Sequence, residues 1–246
     1  MPKFILLAAS TAFLLLGVSC FGGDEPQVSE PQVSAEFATA AETAVEAALL
    51  TPDDLPPGWF IEPEDEDEDE DDDTDFEFTG ECETFDDEEL PGSVASADSD
   101  ELTGPDDQVL VTSAVVFPSE EMAEAAVTDF EKLTEICREQ LKDGMVELFR
   151  DVFEERGADD AEVTVTVEDL PFEELGSGLG SYRINWSFEF EGRSAHGSID
   201  FIFWRQGRLV GAISYMRTGD DNPREERELA QLVDAKLRFV EATLPS

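Results

Sequence analysis

Residues 181–216 read SYRINWSFEFEGRSAHGSIDFIFWRQGRLVGAISYM, and their alternation decides the fold. Tyr182, Ile184, Trp186, Phe188 and Phe190 fall at every second place, with Arg183, Asn185, Ser187 and Glu189 between them. That is the period of a strand with one apolar face. Glu191-Gly192 has the length of a two-residue hairpin loop. Pairing across it sets Phe188 opposite Ala195, Ser187 opposite His196, Asn185 opposite Ser198 and Arg183 opposite Asp200. Every pair matches in polarity, which fixes the register, because a slip of one residue would turn each side chain to the wrong face. A second turn at 205–208 leads into 209–216, so the stretch predicts a three-stranded antiparallel meander.

Outward from the meander the pattern changes period. AEVTVTVEDL (161–170) alternates Val163, Val165 and Val167 and predicts a half-buried strand. DQVLVTSAVVF (107–117) is a second β-rich run, and PSEE (118–121) opens a helix with Ser119 as its cap. That helix, predicted over 119–142, aligns Met122, Ala126, Phe130, Leu133, Cys137 and Leu141. Gly144 is expected to break it before a second short helix carrying Val146, Phe149, Val152 and Phe153 to Gly157. EFATAAETAVEAALL (36–50) predicts an Ala-rich helix, and the Pro pair and Gly58 that follow deliver Trp59 to the core as a packing anchor. Asn222-Pro223-Arg224-Glu225 caps a last helix, with Leu229, Leu232, Val233, Leu237, Val240 and Leu244 as its core stripe. Helices interrupt runs of neighbouring strands, so the class is α+β, a twisted antiparallel sheet with helices packed on it.

The N-terminus carries the address. Lys3 precedes the uncharged, mostly apolar residues 4–19, which end in Val18-Ser19 before Cys20. This reads as a secretory signal over 1–19. A small residue before the cysteine resembles the bacterial lipobox, in which the chain is cleaved before Cys20 and that thiol is lipidated. Gly17 stands where lipoproteins usually carry Leu, and an uncleaved membrane anchor is the alternative. Either way the rest of the chain lies on the extracytoplasmic side. Residues 20–35, with the tandem repeat EPQVS-EPQVS, form an extended linker. With Cys20 lipidated, Cys82 and Cys137 remain, and in an oxidising compartment such a pair is most simply a disulfide, two separate buried thiols being the other reading.

Charge excludes several classes. The 246 residues hold 61 acids against 15 bases, a formal charge of −46, so the clustered cations that grip nucleic-acid phosphates are missing. The same balance disfavours adsorption on anionic lipid by charge. Ten consecutive acids, Glu64 to Asp73, form a solvated insertion over 61–80 between the N-terminal helix and turn (36–60) and the main domain (81–246). An EF-hand needs a central Gly and a terminal Glu at the twelfth place, and 67–78 supplies neither. One histidine and three cysteines leave little for a His-rich or Cys-rich metal site, loose cation condensation on the acidic run is the most the sequence offers, and neither a bound metal nor a cofactor is expected.

LLTPDDLPPGW, the early cysteine, VVFPSEEMAEAAVTDFEKLTEIC, LPFEELGSGLGSYRI and the closing amphipathic helix together resemble the actinobacterial sensor-domain lipoproteins and the extracellular domain of PknH-type serine/threonine kinases. The resemblance covers about residues 40–245. It implies a cleft on the sheet for an extracellular ligand, without established catalysis; the acidic insertion departs from the family, and no kinase segment is present.

For catalysis, His196 is the natural place to look. It shares a sheet face with Ser187, Ser198, Asp200 and Arg183, but residues two apart on a strand stand about 7 Å apart side by side, which is poor geometry for a Ser/His/Asp relay. The expectation is no enzyme. For binding, the same face offers Arg183, Asn185, Ser187, His196, Ser198 and Asp200, followed by Trp204 and, if the turn keeps parity, Tyr215. Apolar walls with a few polar groups make small-ligand clefts. The expected ligand is neutral or amphipathic, the membrane is reached through the N-terminal lipid, and the body is a monomer. Two alternatives stand beside it: the face is covered by the first helix, or the chain is a structural or cation-buffering surface lipoprotein with no specific ligand.

Overall fold

The computed structural model describes residues 33–61, 78–80, 82, 90–106, 108–155, 157–158, 160–172, 175–219 and 222–245. The signal segment, Cys20, nearly all of the linker and nearly all of the acidic insertion lie outside the described residues.

The meander is where the alternation predicts it. Strand β6 (Ser177–Phe190) pairs with β7 (Arg193–Gln206), and β7 with β8 (Leu209–Thr218). All four expected pairings across the first hairpin are present. Its turn works because Glu191 and Gly192 both adopt positive φ, 51° and 74°, the geometry of a two-residue loop whose twist matches the strands. The second turn is tighter than the four residues expected: Gln206 already pairs with Leu209, which keeps parity.

The other strands extend this sheet on both sides. They are β1 (Phe60–Ile61), β2 (Ala95–Asp98), β3 (Leu102–Thr103), β4 (Val109–Val116) and β5 (Glu162–Asp169). The order β1-β3-β4-β8-β7-β6-β5 is antiparallel throughout, and β2 also pairs with β4. On its other side β5 has no partner strand among the described residues.

Helices cover both faces. Helix α1 (Ala35–Ala48) starts where the Ser34 hydroxyl accepts from the Phe37 N–H, and it ends as Leu49 turns extended ahead of Pro52. The Leu50 N–H then donates to the Thr112 hydroxyl inside the sheet. Helix α3 (Pro223–Glu241) is capped by Asn222, with Pro223 at its first position. α1 and α3 share one core with Trp59, Leu110, Ile202, Trp204, Leu209, Ile213 and Tyr215. The opposite face, with Tyr182, Ile184, Trp186, Ile199 and Phe203, packs under α2 (Glu120–Glu155). The class is α+β, as the pattern of elements implied.

Three expectations are corrected. Gly144 does not divide the second helix: α2 runs unbroken for 36 residues. A glycine inside a helix costs only about 1 kcal/mol relative to alanine, and Met145, Val146, Phe149 and Phe153 beyond it are held against the sheet. Leu232 is outside the core at 38% exposure, because α3 turns Leu229, Ala230, Val233, Leu237 and Val240 inward instead. Cys137 does bond to Cys82, with Cα atoms 5.6 Å apart. The buried helix face on which Cys137 falls predicts that this bridge pins helix to sheet; instead it joins α2 to the loop that holds Cys82. Gln140 reinforces it, accepting from the Thr79 N–H at 3.0 Å and donating to the Thr79 carbonyl at 3.2 Å.

Candidate functional site

The face of the meander opposite α2 is organised in rows that cross the strands. One row runs Glu168, Arg183, Asp200, Tyr215; the next runs Thr166, Asn185, Ser198, Arg217; the last is Thr164, Ser187, His196. The eight residues singled out in the sequence thus share a face, but they divide between two environments.

Arg183, Ser198, Asp200, Trp204 and Tyr215 are buried beneath α1 and α3. Arg183 grips Asp200 with two parallel bonds, Nε to Oδ1 at 2.5 Å and Nη2 to Oδ2 at 2.9 Å. Such a fork on a carboxylate is both strong and directional. Nη2 also reaches Glu226 Oε1 at 3.2 Å. Arg217 approaches the same two acids from β8, pairing with Asp200 Oδ2 at 3.2 Å and donating to Glu226 Oε1. Two cations and two anions, every side chain at most 9% exposed, make a neutral quartet.

Neutrality is what makes the burial tolerable, since an unpaired charge there would cost several kcal/mol. Burial, with Asp200 adding to it, raises the Glu226 carboxyl above the ordinary glutamate range, while Arg217 and Arg183 oppose the shift. Burial disfavours the Arg217 cation, yet Glu226 and Asp200 outweigh it and raise its pKa. Tyr215 donates to Glu225 Oε2 at 3.0 Å, and burial together with Glu225 raises its phenol. The Arg217 guanidinium lies 5.5 Å from the centre of the Tyr215 ring. The Ser198 hydroxyl has no hydrogen-bond partner among the described residues.

Asn185, Ser187 and His196 stand at the other end, beyond α3. Ser187 and His196 are exposed and Asn185 is half-buried, donating to Glu168 Oε1 at 2.8 Å. Thr164 and Thr166 of β5 are not buried either, so this corner of the sheet is a hydroxyl- and amide-lined surface open to solvent. His196 and Asp200 are four residues apart on one strand, about 13 Å along it, and Asp200 is already held by two arginines. No group of three His, Cys, Asp or Glu with metal-holding geometry occurs among the described residues. None of their helices is long and apolar enough to cross a membrane.

Two members of the quartet were not singled out in the sequence. Arg217 could have been read, being two places beyond Tyr215 and on the same face. Glu226 could not, because its position depends on how α3 docks.

No family model matches the sequence, and no curated protein is similar to it. Among solved structures the chain is similar to the extracellular domain of PknH from Mycobacterium tuberculosis, with a TM-score of 0.34 and 13% sequence identity. The match covers 61% of this chain and 66% of that one, so the chain spans less than two thirds of that domain's length. A likeness this distant decides neither ligand nor activity.

Proposed function

We propose that the chain is a non-catalytic, extracytoplasmic ligand-binding domain held at the membrane by lipid on Cys20. The observation that carries the compartment is the buried Cys82–Cys137 disulfide, a bond that reducing cytosol does not favour. It agrees with the hydrophobic, lipobox-like segment before Cys20. The ligand half of the reading rests on the open corner of Thr164, Thr166, Asn185, Ser187 and His196, where donors and acceptors face solvent on a rigid sheet. A neutral or amphipathic ligand suits it, because the strongly negative chain repels anions.

Metabolic labelling with an alkyne fatty acid tests the anchor: the wild type takes the label and Cys20→Ser loses it. Labelling that survives the substitution defeats the lipoprotein reading. Thermal-shift screening of the full chain against glycans, peptides and lipids tests the ligand. A hit should be weakened at least tenfold by the double change Asn185→Ala, Ser187→Ala.

A second reading has an observation of its own. Arg183, Ser198, Asp200, Trp204 and Tyr215, five of the eight residues of the expected ligand set, are sealed beneath α1 and α3. That favours a surface lipoprotein whose sheet face is structural, and a screen without hits decides for it.

A further inference from the structure

The face of the sheet that packs under α2 is not filled along its whole length. Beside the middle of α2 a groove of about 660 Å³ opens between residues 131–138 of the helix and strands β5, β6 and β7, a volume within the span of about 300 to 1,000 Å³ usual for small-ligand sites. Its apolar floor is Leu179, Tyr182 and Phe203. The Phe203 ring lies over Gly180, where an added Cβ would come within 2.0 Å of it, and Phe130 of α2 packs edge-on against that ring with centroids 4.5 Å apart. The frame is stiff. Cys137 is bonded to Cys82, and its neighbour Arg138 pairs with Asp169 at the end of β5.

Tyr182 carries the polar atom of that floor. It is 2% exposed, and its hydroxyl has no hydrogen-bond partner among the described residues. Burial raises the phenol, so it stays neutral. A buried hydroxyl without a partner is destabilising, and in the wall of a groove a bound molecule can supply the missing bond. The neighbouring hydroxyls are engaged: Thr134 donates to the Phe130 carbonyl at 2.9 Å and Ser181 to the Leu170 carbonyl at 2.6 Å. At the rim Arg138 is taken by Asp169, and Lys132 by Asp129 at 2.8 Å. Glu131 and Glu135, one turn apart on α2, are exposed and have no ion pair among the described residues.

We propose that this groove binds a cationic amphiphile, a primary ammonium on a short apolar body, with the ammonium toward Glu131 and Glu135 and the body over Leu179 and Phe203. Two uncommitted carboxylates repel an anionic headgroup and give a neutral one no charge to meet, whereas an ammonium answers both. The Tyr182 oxygen is an acceptor for one of its N–H groups, and aromatic ring faces attract a cation as well. The field of a chain of formal charge −46 concentrates such a ligand around the molecule. The groove is a separate site from the open corner of Asn185 and Ser187, which lies on the opposite face of the sheet.

The test is calorimetric titration of hexylammonium into the full chain carrying Cys20→Ser, in about 0.15 M salt so that diffuse attraction to the acidic chain is screened, with 1-hexanol and hexanoate as probes of matched tail. The expected result is one saturable site for hexylammonium, binding at least tenfold weaker for 1-hexanol, and none for hexanoate. Glu131→Gln with Glu135→Gln should weaken hexylammonium at least tenfold. Glu147→Gln with Glu154→Gln, the same change of charge on exposed residues of α2 outside the groove, should leave it within about twofold. Tyr182→Phe should weaken it about threefold with no fall in melting temperature, since the hydroxyl removed has no partner to lose. Equal losses in the two double variants reduce the binding to counterion condensation and overturn the site, as does 1-hexanol binding as tightly as hexylammonium. The change Asn185→Ala, Ser187→Ala should leave the titration unmoved; a loss there puts the cation at the open corner and overturns the groove.

Discussion

Trp204 on β7 donates its indole N–H to Asp234 Oδ1 on α3 at 3.2 Å, with both side chains buried. The carboxylate is turned to this task from the other side by Arg238, 2.6 Å from Oδ2. An apolar core anchor thus has its one polar atom satisfied by the helix that covers it, so sheet and helix fix each other's position.

Asp234→Ala should accordingly destabilise by about 1 to 3 kcal/mol, the desolvation cost of leaving a buried donor unpaired. Urea unfolding followed by tryptophan fluorescence measures it. An unchanged midpoint would mean that water replaces the carboxylate at no cost.

Gly197 lies opposite Trp186, and a Cβ placed there would come within 2.3 Å of the indole ring and 2.2 Å of the Arg217 carbonyl. Gly197→Ala must push either an aromatic ring or a neighbouring strand aside, an overpacking cost of about 1 to 3 kcal/mol. The contrast is Ser194→Ala on the same strand, exposed and expected to shift the melting temperature by no more than a degree or so.

Cys82 and Cys137 are 55 residues apart, and closing a loop of that length stabilises by about 4 kcal/mol in the chain-entropy model. Replacing both with alanine should lower the urea midpoint by a corresponding amount and leave the far-ultraviolet spectrum unchanged, given the two cores that remain. Wild type with reductant should match the double variant. A reduced protein as stable as the oxidised one contradicts the expectation.

Acid should find a specific weak point where α1 ends. Lys236 bonds both the Leu49 carbonyl and Asp54 Oδ2, at 2.5 and 2.6 Å. Burial works against the Asp54 charge, but hydrogen bonds from Lys236 and Thr51 outweigh it and hold the carboxyl below the ordinary aspartate value. A depressed native pKa contributes stability above the unfolded value near 3.8, and that contribution is lost as pH falls through the native one. For a partly exposed pair it is of order 1 kcal/mol or less. Asp54→Asn should therefore be less stable than wild type at neutral pH, with the gap closing below the aspartate range. A gap that persists at low pH would assign the loss to packing.

The meander was legible because polarity alternates across its first hairpin, over 182–190 and 194–200, so that only one register there matches every pair. The same parity extends to Arg217, which the sequence therefore contained. The continuity of α2 was not legible, because it is a balance between the small local penalty of Gly144 and contacts of Phe149 and Phe153 with strands 20 to 50 residues away in the chain. Leu232 misled because it follows Leu229 at helical spacing, yet lies at the edge of the inward arc. Glu226 was invisible for a similar reason: a glutamate in the first turn of a helix ordinarily favours the dipole and faces water, and only the docking of α3 brings it between two arginines. The division of the polar face into a sealed and an open part follows from where α3 begins: Glu226 in its first turn covers Arg183 and Arg217, and the rows beyond are left open.

The side of β5 that has no partner strand among the described residues bears on how copies of the protein meet. A regular eight-residue edge strand is a template on which a second chain can add, and from there sheets grow into aggregates. Here Glu162 begins the strand and Glu168 and Asp169 end it, so two edges meeting antiparallel would bring carboxylates of one molecule against carboxylates of the other. Like charges at both ends penalise every full-length register, and the surplus of acids across the chain keeps the approach unfavourable before the edges touch. The same acidity thus guards the side of β5 that has no partner strand among the described residues.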